Sequence, residues 1–95
     1  MSKNKEVKMQ YFKRDWNETR GDKYDSWGLS VWYFETNDHG KPVRHMELYE
    51  NGKLLKYSAD HMKDKFGFLA RSAIPLKDFQ ENKIEKNVFF KLWNK

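Results

Sequence analysis

The chain has no cysteine, which removes disulfides, zinc–thiolate centres and cysteine nucleophiles from consideration. The same absence fits a reducing compartment, and a cytoplasmic location is expected. Only five glycines occur, isolated at positions 21, 28, 40, 52 and 67, so no glycine-rich phosphate loop can be built. The longest nearly apolar run, residues 29–34, is far short of the roughly 20 residues a membrane-spanning helix needs, and no membrane partner is expected. The opening residues, MSKNKEVKMQ, have no apolar core of the kind a secretory signal carries. The three histidines, His39, His45 and His61, show neither H-x-H nor H-x-x-x-H spacing, so neither a metal site nor any other cofactor is expected.

What is present is charge and aromatic area. The 95 residues fit one domain, 1–95, with the polar residues 1–6 expected to be frayed. Apolar residues make up only 38% of the chain, but aromatics make up 17%, so the core must be built from a few large rings. The net charge of +5 is uneven: +3 over residues 1–23, −3 over residues 24–50 and +5 over residues 51–95. A basic balance admits an acidic partner such as nucleic acid. Most of the positive residues, however, are scattered lysines, which also serve solubility.

Patterning gives an α+β fold. Residues 7–16, 29–37, 43–50 and 53–58 read as four strands, dense in aromatic and β-branched residues. Residues 17–28 form a long loop, expected to be a surface meander pinned by Tyr24 and Trp27. Residues 59–66 read as a short helix, with Met62 and Phe66 one turn apart and Gly67 as a left-handed cap. Asp60 would favour the positive N-terminus of that helix. Asn82 and Glu85 resemble a capping box that opens a C-terminal helix. Ile84, Val88, Phe89, Leu92 and Trp93 would form the apolar face of that helix, packed on one face of a mainly antiparallel sheet.

The most legible stretch is RHMELYENGKLLKY, residues 44–57. Asn51-Gly52 suits a two-residue type I′ turn. That turn pairs Glu50 with Lys53, Tyr49 with Leu54, Leu48 with Leu55, Glu47 with Lys56 and Met46 with Tyr57, aligning opposite charges twice. Met46, Leu48, Leu55 and Tyr57 then face the helix, joined by Trp32 and Phe34 if Phe34 pairs with Met46. The opposite face would carry Tyr33, Glu35, His45, Glu47, Tyr49 and Lys56. These six are the candidate partner-binding residues, although a solvated sheet face carries the same residue types.

Catalysis is not expected. Glu35, His45 and Ser58 in one row could suggest a small hydrolase, but no G-x-S-x-G elbow accompanies them. No RNA-recognition signature appears, so nucleic-acid binding through the lysine-rich terminal segments stands second to protein binding.

Residues 27–79 resemble a family of small bacterial proteins of unknown function. The resemblance rests on Trp32-Tyr33-Phe34-Glu35, the Asp38-His39-Gly40 turn, Arg44 to Tyr49, Asn51-Gly52 and Tyr57, with an aromatic C-terminal helix ending in Trp93. Such proteins look similar to ones encoded beside polymorphic toxins. The resemblance therefore implies an immunity role: a protein partner, a toxin, neutralised by binding. The basic charge departs from the acidic surface expected of an inhibitor that mimics nucleic acid. A nuclease target is consequently expected only if the acidic segment 24–50 makes the contact.

Overall fold

The computed structural model describes residues 8–95, so the reading of residues 1–6 as frayed lies outside the described residues. Four strands follow one another as β1 (Gln10–Trp16), β2 (Ser30–Thr36), β3 (Pro42–Tyr49) and β4 (Leu54–Ser58). They form one antiparallel sheet in that order. A C-terminal helix, α1 (Lys86–Trp93), packs on one face, which is the expected α+β arrangement.

The register of β3 differs from expectation. In the β3–β4 turn, the Gly52 N–H donates to the Tyr49 carbonyl at 2.8 Å and the Tyr49 N–H to the Lys53 carbonyl at 2.9 Å. Gly52 has φ +93°, while Asn51 does not enter the positive-φ region. This is a three-residue loop, a type I turn completed by a left-handed glycine, rather than the two-residue turn. Residues 37–41 repeat the pattern. There Gly40, at φ +84°, donates to the Asn37 carbonyl at 3.1 Å, and Asn37 donates to the Lys41 carbonyl at 3.0 Å. A β-bulge between Glu35 and Thr36 adjusts the ladder beside this turn.

As a result β3 alone slides by one residue relative to β2 and β4. The cross-strand rows are Val31/Leu48/Leu54, Tyr33/Met46/Lys56 and Glu35/Arg44/Ser58 on one face. On the other face Trp32/Glu47/Leu55 and Phe34/His45/Tyr57 line up. A one-residue slide moves every β3 side chain to the opposite face. Leu55, Tyr57, Trp32 and Phe34 therefore do not share a face with Met46 and Leu48.

Face one is covered by α1. Phe89 is fully buried, with its ring 5.4 Å from that of Tyr11 and 6.1 Å from that of Trp93. Burial of such a side chain stabilises by about 1.5–3 kcal/mol. Ile84, Leu92 and Trp93 join it as expected, but Phe90 packs inward and Val88 remains 46% exposed. The capping box does not form: Glu85 makes no side-chain cap, and Asn82 Nδ2 instead donates to the Lys13 carbonyl at 3.0 Å. With the Ile84 N–H on the Tyr11 carbonyl at 2.9 Å, this bond ties the lead-in to α1 along the edge of β1.

Face two is covered by residues 59–82, a strap with little regular structure. The expected helix at 59–66 is absent. Ser58 and His61 exchange backbone hydrogen bonds, Lys63 bridges Phe68, and the Asp64 N–H donates to the Gly67 carbonyl at 2.9 Å. The Asp64 carboxylate explains the turn. Its Oδ1 accepts from the Phe66 N–H at 2.8 Å and the Gly67 N–H at 3.1 Å, a local alternative that competes with helix. Asp60 thus has no helix terminus to stabilise, and Gly67 is not left-handed. Further along, Phe79 from a 3-10 segment (Leu76–Asn82) meets Phe12 and Phe34 edge-on at 5.9 and 6.1 Å. Among the described residues no helix is long and apolar enough to cross a membrane.

Candidate functional site

The six residues expected on one open face are divided between two covered ones. Tyr33, Glu35 and Lys56 lie on the α1 side, whereas His45, Glu47 and Tyr49 lie beneath the strap. Five of them are buried, His45 completely. Their polar groups work inside the fold. Glu35 accepts from the Tyr11 hydroxyl at 2.7 Å and pairs with Arg44, whose guanidinium lies 5.4 Å from the Phe90 ring centre. Burial, followed by the Glu35 carboxylate, pushes the Tyr11 phenol well above the usual tyrosine range. Lys56 Nζ donates to the Trp93 carbonyl at 2.7 Å and the Lys95 carbonyl at 3.2 Å, satisfying carbonyls at the end of α1.

The Glu35, His45 and Ser58 row is not assembled either, because the slide of β3 puts His45 through the sheet from the other two. His45 is held at both nitrogens. Its Nδ1 accepts from the Ala70 N–H at 3.1 Å, which leaves the ring proton on Nε2, 2.9 Å from Glu47 Oε2. The imidazole is stacked on Trp32 at 5.1 Å and 4°. Among the described residues no three His, Asp or Glu side chains gather as a metal site would require.

Glu47 is the charged centre of face two. Its Oε1 accepts from the Tyr49 hydroxyl at 2.6 Å and lies 3.9 Å from Arg20 Nη1. Burial, reinforced by that carboxylate, pushes the Tyr49 phenol up to about 12. Arg20 stitches three segments together. Nε donates to Asp22, Nη1 to the Tyr49 hydroxyl at 3.2 Å, and Nη2 to the Phe66 carbonyl of the strap. The 17–28 loop is thereby fastened down. Tyr24 and Trp27 pin it as expected, their rings 5.2 and 5.3 Å from Phe66.

Where loop and strap fail to meet, a cleft of about 530 Å³ opens over the end of face two. That is within the size range of ligand-binding clefts. Trp16 to Asp22 border it on one segment and Phe66 to Ser72 on another, with Trp32, Glu47 and Tyr49 below. Trp16 is 48% exposed and Phe68 is 54% exposed. The Arg71 guanidinium lies 5.0 Å from the Phe68 ring centre. A second depression, bordered by Leu29 and Leu48, shares Trp16, Ser30 and Tyr49 with the first.

Sequence reasoning did not reach Trp16, Arg20, Phe68 or Arg71 as site residues. The signal for Trp16 was its place at the junction of a strand and a long loop. Nothing local marks Arg71, since its position depends on the path of the strap. Comparisons with family models, curated proteins and solved structures gave no match.

Proposed function

We propose that the protein is a non-catalytic protein-binding domain that meets its partner at the Trp16–Phe68 cleft and not across the sheet face. One observation carries this reading. Of the five large apolar side chains left exposed among the described residues, three (Trp16, Leu29 and Phe68) border the two adjoining depressions at one end of the sheet. Exposed apolar groups gathered around a concavity mark interaction surfaces, whereas scattered ones do not. The resemblance noted in the sequence makes a bacterial toxin encoded nearby the partner to try first, with neutralisation by tight binding as the activity.

Co-expression with such a toxin tests it. The wild type should restore growth and co-purify as a stoichiometric complex, and a Trp16→Ser/Phe68→Ser variant with an unchanged thermal midpoint should do neither. Full protection by that variant refutes the cleft as the surface. Wild-type association that collapses with rising salt and survives both substitutions would point to nucleic acid instead.

A further inference from the structure

The charges that border the cleft give its occupant a chemistry, and this inference rests on the protein-binding reading above. Most ionic groups near the cleft are already committed. Arg20 is held by Asp22, Tyr49 and Phe66, and Glu47 by His45, Tyr49 and Arg20. Two have no ionic partner. Among the described residues, Arg71 has no carboxylate within ion-pair distance, its guanidinium lying against the Phe68 ring, and Glu18 has no cation within that distance. Glu18 belongs to the loop segment and Arg71 to the strap segment that together border the cleft. Each border thus carries one charge without an ionic partner, and the two signs are opposite. The exposed Trp16 and Phe68 rings border the same cleft and offer apolar area.

We propose that the cleft takes one large apolar side chain from an extended segment of the partner protein, with a carboxylate of that segment on Arg71 and an ammonium or guanidinium group on Glu18. A uniformly acidic segment would meet Glu18 and a uniformly basic one would meet Arg71, so a mixed-charge segment is selected over both. Each partly exposed ion pair contributes about a two- to fivefold change in affinity.

The probes are three capped synthetic heptapeptides with a central leucine, flanked by Asp and Lys, by Asp twice, or by Lys twice. A fourth replaces the leucine of the mixed peptide by glycine. Binding is read from the indole N–H signals of Trp16 and Trp32 in proton–nitrogen correlation spectra. The Trp32 signal is a floor reporter, since its Nε1 donates to Ser30 Oγ at 3.0 Å. The mixed peptide should bind the wild type best, and its glycine counterpart should leave both indole signals in place. Arg71→Glu should switch the preference to the Lys/Lys peptide, and Glu18→Lys should switch it to the Asp/Asp peptide. An unchanged order of preference in both variants, or no indole shift with any peptide at millimolar concentration, overturns the proposal. Toxin protection that still depends on Trp16 and Phe68 would then leave the protein-binding reading standing, so the two failures are separable.

Discussion

Replacement of Arg20 by methionine should destabilise the fold more than any other single change on the loop. The perturbation removes the Arg20 cation beside Glu47, a carboxylate whose side chain is 6% exposed, and cuts the stitch to the Tyr49 hydroxyl and the Phe66 carbonyl. Leaving a buried charge without its partner costs about 3–5 kcal/mol when the pair is in tight contact. Here the separation is 3.9 Å, and Glu47 keeps the Tyr49 hydroxyl at 2.6 Å and His45 at 2.9 Å, so the charge is only partly orphaned. Hydrogen bonds to charged groups contribute about 1.5–3 kcal/mol, which places the net loss at roughly 2–4 kcal/mol. Urea denaturation with a common slope measures it. The diagnostic is a double-mutant cycle with Glu47→Gln. If the uncompensated carboxylate dominates, Glu47→Gln should recover at least half of the loss in the Arg20→Met background while costing stability in the wild type. Simple additivity of the two losses, or a loss from Arg20→Met below about 0.5 kcal/mol, would refute the reasoning, since surface substitutions alone reach that size.

Two further outcomes follow from the turns. Burial raises the Asp64 carboxyl, but the Phe66 N–H, the Tyr57 hydroxyl, His61 and the Gly67 N–H outweigh it and hold the group below the usual carboxylate range. A depressed folded value means that its stabilisation is present above the unfolded value, about 3.9, and is lost as pH falls through the folded value. The gap in unfolding midpoint between wild type and Asp64→Asn should therefore be constant near neutrality and close in acid, and a gap that widens in acid contradicts the assignment. Gly52→Ala places a Cβ at φ +93° and should cost about 1–2 kcal/mol by chemical denaturation. A neutral result would mean that the turn is not the three-residue glycine-closed loop.

How far the fold was legible can be followed along β3. Alternation and turn residues placed four strands in order, because period-two patterning and isolated glycines are local signals. The aromatic face of the C-terminal helix was visible for the same reason. The short helix at 59–66 was misread because two apolar residues one turn apart also suit a strap, and the Asp64 turn that decides the matter is completed by Tyr57 of β4, whose hydroxyl donates to it at 2.8 Å. The candidate surface failed through one residue of register. Glu-Asn-Gly at 50–52 can close either a two-residue or a three-residue loop, and the local charge pairs favoured the wrong one.

The sequence by itself determined the α+β class, the four strands along the chain, the positions of both tight turns and the lack of thiol chemistry, since each depends on neighbours within a few residues. Only the tertiary structure decided which face each β3 side chain occupies. It also decided that both faces are covered and that Trp16 and Arg71 border one cleft. The physical reason is that a buried carboxylate such as Glu47 needs hydrogen-bonding and ionic partners, and some of them come from far along the chain. Arg20, on the loop between β1 and β2, and Phe66, on the strap, supply that environment together, and no local pattern records their meeting.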